Sequence, residues 1–168
     1  MTGAPATGKT TVGRLVAGAL RAAILDQDVV TGPFVVGADL DGAAGAALRA
    51  ARYESILATA ADCLSVGTSA VLVAPFTTER SDSGAFGVLV ERFAAVGAST
   101  TLVWLTAPAD ILIARMSSRG AERDAGKLAD PSAYFRAGLL DAPAVPHVRI
   151  DATQDPVAQL ENILTSLP

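Results

Sequence analysis

Lysine is nearly absent from this chain: its 168 residues hold Lys9 and Lys127 against eleven arginines, with 15 glycines and abundant alanine. That skew reads as a genomic bias, so small residues carry little information. Other scarcities exclude whole classes of function. Cys63 is the only cysteine, which rules out an internal disulfide and a multi-cysteine metal site and predicts a buried apolar thiol. His147 is the only histidine and is read as structural, at the start of a strand. Asn162 is the only asparagine, so no NKxD base-recognition motif exists, and the DxxG match at Asp39-Leu40-Asp41-Gly42 is accidental because no apolar strand precedes it. The net charge of -4 argues against a nucleic-acid surface, which needs clustered cations. No apolar run approaches the roughly 18 residues of a spanning helix, and no signal segment opens the chain. We therefore expect a cytoplasmic protein without membrane or nucleic-acid partners, folded as one domain over residues 1–168 and acting as a monomer or homodimer.

Against this background one stretch stands out. Gly3-Ala4-Pro5-Ala6-Thr7-Gly8-Lys9-Thr10 spells GxxxxGK[ST], the phosphate-binding P-loop, for which roughly 0.002 chance matches are expected at this composition. Glycines let successive backbone N–H groups surround a polyphosphate, and the helix that follows, opening on Thr10 and Thr11, adds its positive N-terminal end. Lys9 then reaches the β- and γ-phosphates of ATP, and the Thr10 hydroxyl ligates the Mg2+ that travels with it. A P-loop normally joins a buried strand to a helix, yet only Met1 and Thr2 precede Gly3. The expectation is an α/β P-loop sandwich, a parallel sheet flanked by helices, whose N-terminal strand is largely missing from the given sequence. A stretch of about five apolar residues, a typical strand length, would complete it.

Downstream, Val12, Leu15, Val16 and Ala19 predict a helix packed by one face on a sheet. Ala22–Leu25 reads as a strand ending in Asp26-Gln27-Asp28. Ligands bind at the carboxyl ends of strands in open α/β sheets. Beside a P-loop, one of these carboxylates serves the metal and the other accepts the proton of an attacking hydroxyl. Their alternation along an extended chain would point them to opposite sides. Thr31–Gly45 is turn-rich. A long helix over Ala43–Val66 is predicted, with Leu48, Ala51, Ser55, Leu57, Ala61 and Leu64 near one side, and Arg49, Arg52 and Tyr53 beside an acceptor pocket or on a solvated face. Strands are expected at Ser69–Ala74, Thr100–Leu105 and His147–Ile150, and helices at Ser81–Val96, from Ala107, over Pro131–Leu140 and from Pro156. Arg115, Arg119 and Arg123 mark a flap at about 115–130. Guanidiniums on a mobile flap neutralise charge as a phosphoryl group moves. The competing reading is a solvated face paired with Glu122 and Asp124. The adenine is expected near Asp151–Thr153.

This order of elements, with GAPATGKT, LDQD and ARMSSRGAERD as its most specific stretches, resembles the small P-loop kinases: shikimate kinase, gluconate kinase, chloramphenicol phosphotransferase and the AAA-labelled, zeta-toxin-like ATP-binding kinases. The resemblance implies that Lys9 and Thr10 bind ATP and Mg2+, that Asp28 is the base and Asp26 the metal-side carboxylate, and that Arg115, Arg119 and Arg123 are lid arginines. Shikimate kinase carries glycines where this chain has Ala74-Pro75-Phe76, and gluconate kinase has His-Phe-Met where it has Glu122-Arg123-Asp124, so neither substrate is carried over. The expected function is an ATP- and Mg2+-dependent phosphotransferase. It would move the γ-phosphoryl to a hydroxyl of a small molecule, sugar-like or antibiotic-like, in a pocket that draws on Asp28, Arg49, Arg52, Tyr53 and Phe76. The alternatives are a nucleoside or nucleotide kinase and a non-catalytic ATP-regulated binding protein.

Overall fold

The computed structural model describes residues 1–40, 43–120, 124–131, 135 and 138–168. The strands are β1 (Thr2–Gly3), β2 (Ala23–Asp26), β3 (Ala70–Val73), β4 (Val103–Thr106) and β5 (Val148–Asp151), of which β2, β3 and β4 form on short apolar runs. Between them lie α1 (Lys9–Leu20), α2 (Gln27–Thr31), a 3-10 turn at Gly32–Val35, α3 (Ala43–Ser65), α4 (Thr77–Ser81), α5 (Ser83–Ala94), α6 (Ala109–Arg119) and α7 (Ala125–Ala129), and α8 (Pro156–Ser166) follows β5.

All strand pairs run parallel. β2 pairs with β3 from Ala23 opposite Ala70 to Asp26 opposite Val73, and β4 lies between β1 and β5. Met1 joins the two ladders: its α-amino group donates to the Leu72 carbonyl, and its own carbonyl accepts from the Ala74 amide at 3.3 Å. The spatial order is therefore β2-β3-β1-β4-β5, with the two-residue β1 at the centre. At the amino end of the sheet, beneath Met1, an apolar cavity of about 280 Å³ is lined by Leu72, Phe76, Phe93, Leu102 and Leu167 among others.

Helices cover both faces. Val12 and Val16 of α1, Leu112 and Met116 of α6 and Ile163 of α8 pack with Leu105 and Ile150 on one side. Ile56, Leu57 and Ala60 of α3 and Leu89 and Phe93 of α5 pack with Leu25 and Phe76 on the other. Burial of each such large side chain contributes about 1.5–3 kcal/mol. Two sequence-predicted faces are displaced: Leu15 is half-buried and Ala19 exposed, and α3 buries Ile56, Leu57 and Ala60 while Ala51 and Ser55 face out. The helix expected over Ser81–Val96 is α5, which starts two residues later because Asp82 takes an extended conformation and caps it by accepting from the Ala85 amide at 2.7 Å; the short α4 before it was not expected. Half of the helix expected over Pro131–Leu140 lies outside the described residues, and its last three residues, Gly138–Leu140, form a turn. Cys63 is half-buried rather than fully buried. His147 stands edge-on to Trp104 with Nδ1 2.8 Å from the Val145 carbonyl oxygen. No helix among the described residues is long and apolar enough to cross a membrane.

Candidate active site

The P-loop forms where β1 passes into α1. A Cβ at Gly3 would stand 2.3 Å from the Leu105 carbonyl oxygen, so only glycine lets the loop lie this close to β4. Gly8 turns the chain at φ 85° into the first residue of α1, which aims the free amides of the helix at the loop. Buried Thr7 closes the loop by donating to the Ala4 carbonyl at 2.8 Å. Lys9 folds back over it, and Nζ donates to the carbonyls of Gly3 and Ala4 at 2.8 Å each. Burial pushes Lys9 down to about 8, with Lys127 and Arg119 acting in the same direction and Asp28 and Asp26 opposing them.

Both aspartates at the end of β2 reach this site, but not by alternating along an extended strand. The helix α2 begins at Gln27, directly after the strand, and Asp26 is its cap: Oδ1 accepts from the Asp28 amide at 3.0 Å. Oδ2 of Asp26 accepts from the Thr10 hydroxyl at 2.6 Å. Asp28, on the first turn of α2, takes a bond from Arg52 of α3 at 3.1 Å, and Arg52 Nε donates to Thr31 Oγ1 at 2.8 Å. The helix cap, rather than the strand, separates the two carboxylates. Asp26 is 6% exposed while the Asp28 side chain is 65% exposed. The buried carboxylate beside a hydroxyl is a pair of hard oxygen donors next to a phosphate loop. It fits Mg2+, which takes one or two protein oxygens and completes its octahedron with phosphate and water.

A cleft of about 810 Å³ joins these groups: the P-loop, Thr10, Thr11, Asp26 and Asp28 line it together with Arg80, Arg119 and Lys127. Arg119 donates to Asp124. Arg115 stands apart from this lining; it donates to the carbonyls of Ala6 at 3.4 Å and Ala152 at 2.9 Å, tying the P-loop to the turn after β5. In that turn, the amide and hydroxyl of Thr153 both donate to Asp151 Oδ1. Arg123 lies outside the described residues.

Three residues expected at the acceptor pocket are placed elsewhere. Arg49 is exposed on α3. Phe76 follows Pro75 with φ 46°, a left-handed turn that swings its ring inward, where it is 3% exposed and meets Tyr53 edge to face at 5.5 Å. The Tyr53 hydroxyl donates to Glu79 at 3.4 Å, and burial, reinforced by that carboxylate, raises its phenol. These rings form the wall behind the cleft instead of its surface. Sequence reasoning missed Arg80, which is 7% exposed and donates to the carbonyls of Leu139 and Asp141. In the sequence Lys127 counts only as a member of the flap cluster, with no role of its own. A basic residue just past the end of a buried strand, and the rarity of lysine, were the available signals.

A family profile described as an AAA domain matches residues 1–135. The chain belongs to this AAA domain family. No curated protein matches its sequence. Among solved structures, a provisionally assigned kinase from Chloroflexus aurantiacus is similar with a TM-score of 0.71 and 22% identity, over 98% of this chain and 91% of the other. A gluconokinase from Sinorhizobium meliloti gives 0.63 and 19% over 98% and 87%. The Mycobacterium tuberculosis APS kinase, solved with AMPPNP and APS, gives 0.64 and 18% over 98% and 92%. The AAA domain of this chain thus has the fold of the small P-loop kinases.

Proposed function

We propose that the protein is an ATP- and Mg2+-dependent small-molecule kinase whose acceptor atom is a hydroxyl oxygen. One observation carries this reading: a P-loop lysine, a Thr10–Asp26 oxygen pair and an outward-facing Asp28 line one cleft. A nucleotide sensor needs the first of these and has no use for the last. In the proposed reaction the P-loop amides and Lys9 hold the β- and γ-phosphates, and Lys9 leaves the Gly3 and Ala4 carbonyls to do so. Thr10 and Asp26 hold Mg2+, which neutralises phosphate charge when bound. Asp28 accepts the proton of the acceptor hydroxyl, and Arg52 fixes its carboxylate toward the cleft. Arg119 faces the transferring phosphoryl group, with Arg123 as a further lid arginine, and Arg115 steadies the loop and the turn at Asp151–Thr153 against which the adenine rests. Arg80 gives the cleft a further cation beside Asp28, which suits a hydroxylated acceptor bearing an anionic group. The experiment is a coupled ADP-release assay with Mg-ATP against sugar acids, neutral sugars, hydroxylated antibiotics and nucleosides. Stimulation by one class of non-nucleoside acceptor supports the reading. Stimulation by nucleosides alone would make it a nucleoside kinase, and tight ATP binding without stimulation by any acceptor would favour a regulatory binding protein.

A further inference from the structure

Both lysines of this arginine-dominated chain line the same cleft. Lys9 belongs to the P-loop. Lys127 arrives from α7, and Asp124 is what places it. The Asp124 side chain is fully buried and bonds two cations at once: Oδ2 takes Arg119, through Nε at 2.9 Å and a second guanidinium N–H, and Oδ1 takes Lys127 Nζ at 3.2 Å. A solvated charged face would have left this carboxylate in water. Burying an ion costs several kcal/mol unless charged partners offset it, so the arrangement is a built one. Burial by itself would raise the Asp124 carboxyl, and Arg119 and Lys127 together outweigh it and hold the group below its ordinary range. Both cations line the cleft. The Arg119 and Lys127 side chains remain 36% and 27% exposed, so each keeps surface open to a ligand, and both lie near enough to Lys9 to disfavour its charge.

We propose that Arg119 and Lys127, set side by side by Asp124, form a two-cation clamp on the β- and γ-phosphates opposite Lys9, with Lys127 a phosphate-binding residue and Asp124 a positioning residue. This inference rests on the nucleotide reading of the cleft and adds to it a ligand that reads polyphosphate length. Lys127 meets the phosphates as a point charge, and Asp124 offsets the repulsion between the two cations.

The test is displacement of a fluorescent ATP analogue by Mg-ATP, Mg-ADP and AMP from the full chain and from its Lys127→Gln, Lys127→Arg and Asp124→Asn variants. Loss of one charge-assisted bond corresponds to about a tenfold loss of affinity. Lys127→Gln should therefore weaken Mg-ATP about tenfold while AMP changes less than about twofold, and Lys127→Arg should restore most of the loss. Asp124→Asn should weaken Mg-ATP at least as much, again sparing AMP; should that variant not fold, the two Lys127 variants decide alone. An equal loss for ATP and AMP would mean a merely structural role and overturn the clamp, as would unchanged ATP affinity in Lys127→Gln. Failure of the unaltered chain to bind the ATP analogue at all would instead overturn the kinase reading, and the clamp with it.

Discussion

At the carboxyl end of the sheet the strands run into polar turns whose side chains are bonded to one another: Lys9 to the loop carbonyls, Thr10 to Asp26, Asp28 to Arg52, Arg119 and Lys127 to Asp124. At the amino end, β3 and the approach to β4 flank an apolar cavity of about 280 Å³, into which a buried hydroxyl, Thr100 Oγ1, enters without a hydrogen-bond partner among the described residues. One end holds charge in place for work, and the other holds the fold together with room to spare. The lesson is that chemistry and stability are separable here, and mutation should move them separately.

The largest effect is expected at the working end. Lys9→Ala should lower turnover about 10³-fold, the scale for loss of a preorganised charge at a transferring group, while the melting temperature stays within a few degrees; a large fall in melting temperature would break the separation. Leu105, fully buried in the strand beside β1, is the converse. Leu105→Ala should cost about 3 kcal/mol of stability in chemical denaturation and leave the nucleotide affinity of the folded fraction unchanged. Thr100→Val keeps the shape of the side chain and removes the unpartnered hydroxyl, so it should stabilise by about 1 kcal/mol with no change in activity.

A smaller effect depends on pH. Burial in the main, with help from Lys9, pushes the Met1 α-amino group from 8.0 down to about 5. Between those values the unfolded chain binds the proton and the folded one does not, so this group makes stability rise as pH climbs from 5 to 8. Acetylating the α-amine removes the titration, keeps an N–H for the Leu72 carbonyl and presents a methyl group to the cavity. Melting curves of the acetylated protein should lose this part of the pH slope and sit higher at pH 6 by about 1–3 °C. A slope unchanged by acetylation would show that other groups set it.

The regular parts of the fold were legible because period and punctuation agreed: three apolar runs bounded by turns became strands, and Gly8-Lys9-Thr10 opened α1 at the expected place. Two of the misreadings involve a side chain that caps backbone nearby. Asp26 looked like the end of a strand and is also a helix cap, so α2 was hidden. Asp82 caps α5 and separates it from α4, a short helix that the sequence reading did not anticipate. Phe76 looked like a pocket residue, and its left-handed backbone, which no spacing reveals, turns it into the core. In the candidate site, the P-loop, Asp26, Asp28 and Arg52 could be found from spacing alone, since their partners lie on elements whose order the motif already implies. Arg80 could not, because the contacts that place it are with Leu139 and Asp141, which belong to a region without apolar periodicity; Lys127 was found only as part of the flap cluster, and its bond to Asp124 was not foreseen.

Asp26 carries one more consequence. Its two oxygens are both engaged, one by the Thr10 hydroxyl and one by the Asp28 amide of α2. Any cation drawn to that carboxylate must share it with the helix that presents Asp28, so cation affinity and the order of α2 are reciprocally linked, by the same factor in each direction. In the proposed reaction, an acceptor that orders α2 through Asp28 would thereby tune how tightly the other oxygen of Asp26 holds Mg2+, and one side chain would couple the two substrates.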